Sequence, residues 1–422
     1  MESEWIEASF SELCDITRGA SPRPIHEWIS TSGTPWVKIS DATASQSRFI
    51  TKTGECIKNE ARQSSVVVNV GDLIVSNSAT PGIPKIMGIE ACIHDGWLLL
   101  RNLRGLDKMF AYYLLLRDRP ALVEQGNGSV FTNLKTEILK NHRVKIPLLA
   151  EQKRIAGILG ALDDKIELNR KMNETLEQMA RVLFKSWFID FDPVHAKAAG
   201  RQPVGMDKAT AALFPDSFVD SELGKIPKGW KSGALDELVE PRVEKVAATP
   251  DKDLTRYIAL EDMPSKSLEL SKYQLGSAVN SSIIRFRKGD ILFGSMRVYF
   301  HKVGLACFDG ITRTTTFVLK PRKERLRHFS LLHLFSDEVI AFATTASIGT
   351  TIPYVRWDSL RKYRLAIPPD ELLSRFDELV GNLTSKIATQ GEESRTLADL
   401  RDSLLPRLLS GNLNFENNDT SA

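Results

Sequence analysis

Carboxylates and an imidazole a few residues apart are legitimate ligands for a divalent cation. Asp190, Asp192 and His195, in Phe-Ile-Asp-Phe-Asp-Pro-Val-His, present that combination. The same run is also what a helix end passing into a proline-stopped connector looks like, and on that reading no metal site is expected. Asp163-Asp164-Lys165 has the acidic-x-Lys form of a nuclease triplet, but no Pro-Asp pair precedes it at a suitable distance. It falls inside a long helical stretch, where charge is ordinarily a solvated face. The chain has no G-x-x-x-x-G-K-[ST] phosphate loop, no G-x-G-x-x-G after a strand, no H-E-x-x-H and no G-x-S-x-G elbow. It also lacks the Asn-Pro-Pro-Tyr or Asp-Pro-Pro-Tyr segment of an amino-methyltransferase. The other histidines, at 26, 94, 142, 301, 328 and 333, are read as making no metal-ligand set with Cys or Asp. The four cysteines are scattered with no C-x-x-C pair, and read as core thiols. No catalytic residue is expected on this chain.

Arg, Asn, Ser and Thr on turn-rich segments are the side chains that read base edges and hold phosphates. Before residue 140 the candidates are Arg18, Ser21, Arg23, Lys38, Ser76, Asn77, Ser78, Thr80, Ser129, Asn133 and Lys135. After residue 280 they are Arg285, Arg287, Arg297, Tyr299, Arg313, Thr315, Thr350, Tyr354 and Arg356, with Arg297 and Asn77 favoured as base readers. Arg322, Lys323, Arg325 and Arg327 form a run that either grips phosphates or serves as a plain solvated face. The net charge of +3 hides an asymmetry. Residues 1–147 hold 17 Lys+Arg against 16 Asp+Glu, whereas residues 226–367 hold 23 against 15.

The elements that must position these residues occur twice. Ile146-Pro147 and Ile367-Pro368 each open a long helical stretch. At a constant offset of 221, Ile155 falls on Phe376, Leu159 on Val380, Leu162 on Leu383, Ile166 on Ile387, Leu176 on Leu397, Met179 on Leu400 and Leu183 on Leu404. Upstream, with small drifts, Trp5 matches Trp230, Glu12-Leu13 matches Glu237-Leu238, and Asp41 matches Asp262. Gly71-Asp72-Leu73-Ile74 likewise matches Gly289-Asp290-Ile291-Leu292, and Gly128-Ser129 matches Gly349-Thr350. Short β-type runs punctuate both globular parts: 36–39, 65–70, 73–76, 283–286, 291–293 and 314–319. In the first helix Ile155, Leu159, Leu162, Ile166, Asn169, Asn173, Leu176, Ala180, Leu183 and Trp187 alternate spacings of four and three, a coiled-coil seam. The second seam is polar at Gln390 and Ser394, which are the counterparts of Asn169 and Asn173. Such a polar waist fixes register, so the helices are expected to pack antiparallel about a pseudo-dyad near it. The alternative is a pair of polar residues tolerated on loosely packed rods. About 40 residues at 1.5 Å rise give a rod of roughly 60 Å.

Three features, in order and duplicated, resemble the specificity subunits of type I restriction-modification systems over nearly the whole chain. They are Ile-Thr-Arg-Gly-Ala-Ser-Pro (16–22) with Thr-Pro-Trp-Val-Lys-Ile-Ser-Asp (34–41); Gly-Asp-Leu-Ile-Val-Ser (71–76); and Ile-Pro-Leu-Leu-Ala-Glu-Gln-Lys-Arg-Ile (146–155) running into Leu-Asp-Asp-Lys-Ile (162–166). The resemblance implies an α+β chain with two mixed α/β target-recognition domains separated by two antiparallel coiled-coil helices acting as a ruler. The expected parts are recognition domains at 1–147 and 226–367, helices at 148–189 and 368–411, a linker at 190–225 and a disordered tail at 412–422. The linker is Ala-rich and aperiodic, and is expected to order only with partners. The resemblance further implies double-stranded DNA as ligand and two modification subunits as partners, with restriction subunits beside them. S-adenosylmethionine, ATP and Mg are then expected on those partners and no cofactor on this chain. A fixed separation on DNA means two half-sites around an unread gap, centred roughly one turn of about 34 Å apart. Divergent loops make an asymmetric bipartite target the expectation. One departure stands out: Glu151-Gln152 opens the first helix, where the second has Leu372-Leu373. In the family that pair is expected to contact either a modification subunit or the recognition domain. The competing readings are an interaction scaffold whose helices only dimerise the chain, and a stand-alone two-module DNA-binding regulator.

No apolar run approaches the ~18 residues of a membrane span, the longest being the eight from Met109 to Leu116. The acidic N-terminus carries no readable secretory signal. The expected location is the cytoplasm.

Overall fold

The matched glycines and acids of the two copies build the same corner twice. A computed structural model describes residues 5–43, 47–126, 133–245, 255–278 and 282–411. In it, Gly71 and Gly289 both adopt left-handed backbone, with φ of 86° and 90°. Only glycine takes that conformation without strain. The following acids close the corner. Asp72 accepts from the Asn69 amide at 2.7 Å and pairs with Arg101. Asp290 accepts from the Arg287 amide at 2.8 Å and from Arg242 at 2.7 and 3.1 Å. The corner feeds a buried strand in each copy, Leu73–Ser76 and Ile291–Gly294. These strands pair antiparallel with Trp97–Arg101 and Thr316–Pro321.

The described residues divide into two units, Met1–Glu167 with Leu397–Ala422, and Leu168–Thr396. In the first unit one five-stranded sheet runs Ile29–Ser30, Glu55–Ile57, Thr34–Val37, Ala91–Ile93, Val66–Val68, and a second runs Asp15–Arg18, Trp97–Arg101, Leu73–Ser76, Pro84–Met87, Phe49–Ile50. The helix Lys108–Gly126 packs Phe110, Tyr113 and Leu114 into the core against Leu73, Leu98 and Ile155. In the second unit the corresponding sheets have four strands each. The parallel pairing of Trp36 with Cys92 is repeated by Tyr257 with Ile311. Ile6–Ser9 pairs with Arg143–Ile146, and Lys231–Ala234 pairs with Arg364–Ile367 in the same register. The globular runs predicted from sequence are therefore strands, two with their ends unmoved and the others with ends moved by at most two residues.

Two long helices follow the globular parts, Leu149–Phe184, continued by a wider turn at Lys185–Ile189, and Asp370–Leu409. Each is shared by chain between the two units. Within the first unit Ile155 and Leu159 lie in one core with Leu404 and Leu408. Within the second, Asn169 Nδ2 donates to Glu393 at 2.8 Å and to Ser394 Oγ at 3.2 Å, and Asn173 Nδ2 donates to the Ile387 carbonyl at 3.3 Å. Trp187 meets Phe376 at 5.7 Å. Partners descend in one helix as they rise in the other, so the pair is antiparallel. Asn169 contacts Ser394, the counterpart of Asn173, which is the pseudo-dyad relation expected of the polar waist. Met179 and Leu400, matched as apolar between copies, are instead both exposed.

Two expectations are corrected. The linker 190–225 is built, as helices Asp192–Ala198 and Lys208–Ala212 and the hairpin Phe218–Ser221/Gly224–Pro227. Its anchors are Val194 and Phe214, both buried, with Phe214 edge-on to Trp187 at 5.1 Å. Isolated anchors of this kind leave no periodicity to read. Asp163, taken as part of a solvated face, is instead largely covered, with 11% of its side chain exposed. Tyr113 Oη and Arg401 Nη1 each donate to it at 2.7 Å, and Arg48 pairs with its neighbour Asp164. The tail 412–422 lies outside the described residues.

Candidate nucleic-acid interface

In the first unit the arginines selected by type converge on an acid. Asp95 follows Ala91–Ile93 and precedes Trp97–Arg101, at the turn where the chain passes from one sheet to the other. Arg18 Nε donates to the Asp95 carbonyl at 2.9 Å, and Arg23 Nη2 reaches its carboxylate at 3.4 Å. Ser21 Oγ donates to the same carboxylate at 2.6 Å, and this bond holds Asp95 below the usual carboxylate range. Asn77 Nδ2 donates to the Asp95 carbonyl at 3.0 Å. Both guanidinium groups stay exposed while one end is tied down, so their remaining donors are pre-aimed outward. Asp95 was not found from sequence, because an acid carries no signal in a search for DNA-reading types.

Other candidates of this unit are spent inside the fold. Ser76 is fully buried, its hydroxyl donating to the Thr80 carbonyl at 2.6 Å and accepting from the Ile83 amide at 2.8 Å. Asn77 is buried too, so both act as supports for the turn 78–83, on which Ser78 and Thr80 are half-buried. This corrects the selection of Asn77 as a base reader. Lys38 pairs with Glu55. Asn133 and Lys135 are exposed, and Ser129 lies outside the described residues.

In the second unit Arg285 and Arg287 both face Glu244, at 3.3 and 3.4 Å. Arg313 lies over the Tyr257 ring at 5.9 Å, and Thr315 is half-buried. The basic run after residue 321 is neutralised: Arg322 pairs with Glu240, Arg325 with Asp370 and Arg327 with Glu324. That leaves a cluster built by two loops. Arg297 N donates to the Pro353 carbonyl at 2.7 Å, Val355 N to the Ser295 carbonyl at 2.9 Å, and Met296 bridges Tyr354. These bonds set Arg297, Tyr299, Tyr354 and Arg356 on adjoining exposed loops, with Thr350 at the tip of one. Among the described residues neither Arg297 nor Arg356 has an ion pair. Phe300 joins them, and was missed because a lone phenylalanine in sequence reads as core.

Asp190 pairs with Lys185, and His195 lies against Phe218 at 4.7 Å. Gln152 settles what one member of the Glu151-Gln152 pair does in this chain. It is fully buried, accepts from the Asp107 amide at 2.8 Å, and donates to the Gly105 and Pro147 carbonyls at 2.9 and 2.8 Å. It fastens the helix to the globular part that precedes it. Leu373, its counterpart, is packed in the apolar core of the second unit.

Residues 2–178 match the type I restriction modification DNA specificity domain. The chain is 25% identical to the type I restriction enzyme MjaIX specificity subunit of Methanocaldococcus jannaschii, over 98% of this chain and 94% of that one. It is 23% identical to the HindI specificity subunit of Haemophilus influenzae, over 97% of this chain and the full length of the relative. The crystal structure of a type I restriction-modification S subunit from M. genitalium superposes with a TM-score of 0.58 at 15% identity, covering 96% of each chain. That likeness is one of fold.

Proposed function

We propose, for a chain that belongs to the specificity subunits of type I restriction-modification systems, that its two copies read two different halves of one interrupted DNA sequence. The observation that carries this is the contrast between the two exposed clusters. One is a pair of arginines held by Asp95. The other is a pair of uncompensated arginines beside exposed tyrosines. A tethered guanidinium offers a fixed fork suited to one base edge, whereas an unpaired one gains most from a phosphate or guanine and carries a larger salt dependence. Two heads of different construction do not read the same half-site, so the target is asymmetric.

On this reading the chain supplies no catalytic group. Adenine-N6 methylation with S-adenosylmethionine falls to two modification subunits, and ATP- and Mg-dependent cleavage falls to restriction subunits, all acting in the cytoplasm. Selection from a pool of random duplexes by the full chain with its modification subunits is expected to return an asymmetric, interrupted motif. Asp95→Ala is expected to blur one half and Arg297→Ala the other. A continuous or palindromic motif, or retention indifferent to salt, counts against the proposal and favours the scaffold reading. Methyltransferase activity that co-purifies with the chain separates this role from that of a stand-alone regulator.

A further inference from the structure

The turn carrying Tyr299 and Phe300 is strained at both ends. Arg297 and His301 are non-glycine residues with left-handed φ of 47° and 53°, flanking the short turn Val298–Phe300. Strain of this kind persists only where surrounding structure enforces it. Here Val298 and His301 are buried, His301 Nε2 donates to the Phe335 carbonyl at 2.7 Å, and Ser265 Oγ donates to the Phe300 carbonyl at 2.6 Å. The result is that two adjacent aromatic rings, 4.8 Å apart, stand in solvent at 51% and 44% exposure. The fold holds them there at an energetic cost, and it holds them beside two arginines that have no ion pair among the described residues. The surrounding segment, 226–367, carries 23 Lys+Arg against 15 Asp+Glu. Apolar rings set among uncompensated cations suit a polyanion with stackable faces better than they suit an apolar protein groove.

We infer that Tyr299 and Phe300 form a rigid wedge that enters the base stack of bound duplex DNA and opens one base step. The inference rests on the DNA-reading role proposed above. Because the turn is already pinned, insertion orders little chain, and the unstacking is offset by ring-on-base contact. Arg297 then reaches a base edge beside the opened step, and Arg356 takes a flanking phosphate.

The test uses the full chain with its modification subunits and a duplex recovered from the random pool, into which 2-aminopurine is placed at each position in turn. Wild type is expected to brighten the probe at one step of one half-site. Tyr299→Ala/Phe300→Ala is expected to abolish that signal and weaken binding about ten-fold, while the slope of affinity against salt is retained. Phe300→Leu, which keeps an apolar wedge, is expected to retain part of the signal, and unchanged circular dichroism excludes misfolding as the cause. A steep salt slope with no brightening at any position overturns the wedge and leaves DNA reading intact. So does a signal that survives the double substitution, or a double variant that binds DNA normally but sheds its modification subunits. Failure to retain any duplex overturns both.

Discussion

Replacing Gln152 by leucine, the residue type found at the matching place in the second copy, isolates what this side chain does. The two side chains are close in volume, so packing changes little. The change removes the acceptor for the Asp107 amide and the donor to the Gly105 and Pro147 carbonyls; Gln152 and Pro147 are buried, Asp107 is half-buried and Gly105 is exposed. An unpaired buried backbone group costs about 1–3 kcal/mol and a partly solvated one less, so the loss is roughly 2–4 kcal/mol before about 1 kcal/mol is returned by burying the leucine. A net destabilisation of about 1–3 kcal/mol is a large part of a domain's margin. It is expected to appear as faster hydrogen exchange around residues 103–115 and 147–156, and as a lower urea midpoint for the first unit, with amides of the second unit unchanged. Glu151→Ala serves as the control, since among the described residues Glu151 pairs with Arg154 on its own helix and its loss is expected to change stability by less than about 0.5 kcal/mol. Leu373→Gln is the reciprocal change, placing an amide in an apolar core, and is expected to weaken the second unit alone. If Gln152→Leu leaves exchange and midpoint unchanged, or if Glu151→Ala is as damaging, the fastening role is wrong.

Asp163→Ala strips the acceptor from Tyr113 and leaves Arg401 without its largely covered partner, and is expected to cost about 3–5 kcal/mol in urea unfolding of the first unit, more than any exposed ion pair of the same helix. Asn169→Leu is expected to leave stability equal or higher while permitting mispaired helices, seen as added species in size-exclusion chromatography or native mass spectrometry. His333 is buried between the edges of Phe184 and Phe329, with neither ring nitrogen hydrogen-bonded, and burial lowers it to about 3. The folded state therefore binds fewer protons than the unfolded one below pH 6.5, and stability is lost as pH falls through that window by up to about 1.4 kcal/mol per unit. His333→Phe is expected to flatten that part of the stability–pH profile measured by chemical denaturation.

The architecture was legible because it rests on repetition and periodicity. Apolar residues at a constant offset of 221 gave the duplicate, and their spacing of four and three gave the seam. The polar waist was legible for the same reason, as a break at matching places in both apolar patterns. What escaped were features without a pattern. The linker folds on single anchors such as Phe214, and Asp163 looks like any helix-surface acid until Tyr113, Arg48 and Arg401 arrive from distant parts of the chain. At the interface, residue type separated loops from core but not readers from supports. Ser76 and Asn77 have the chemistry of readers and are used as internal braces, while Asp95 and Phe300, whose chemistry the search passed over, stand within the two exposed clusters.

The residues that match between the copies are, one after another, frame residues: the left-handed glycines, the acids that close their corners, and the glutamates that bind the Ser9 and Ala234 amides at 2.6 and 2.9 Å. Thr350, the match of Ser129, apart, the residues on the exposed clusters do not match. Counting back from the first paired residue of the equivalent strands, Trp97 and Thr316, the position two residues earlier holds Asp95 in one copy and Thr314 in the other. An acid there collects Arg18 and Arg23 into a fixed fork, and a threonine collects nothing. The electrostatic character of each head is thus governed by residues that the frame does not need, so the target can change through a few loop substitutions while glycine corners, strand pairings and helix seam stay as they are. That separation also explains why the motifs that reveal the family are silent about the sequence it reads.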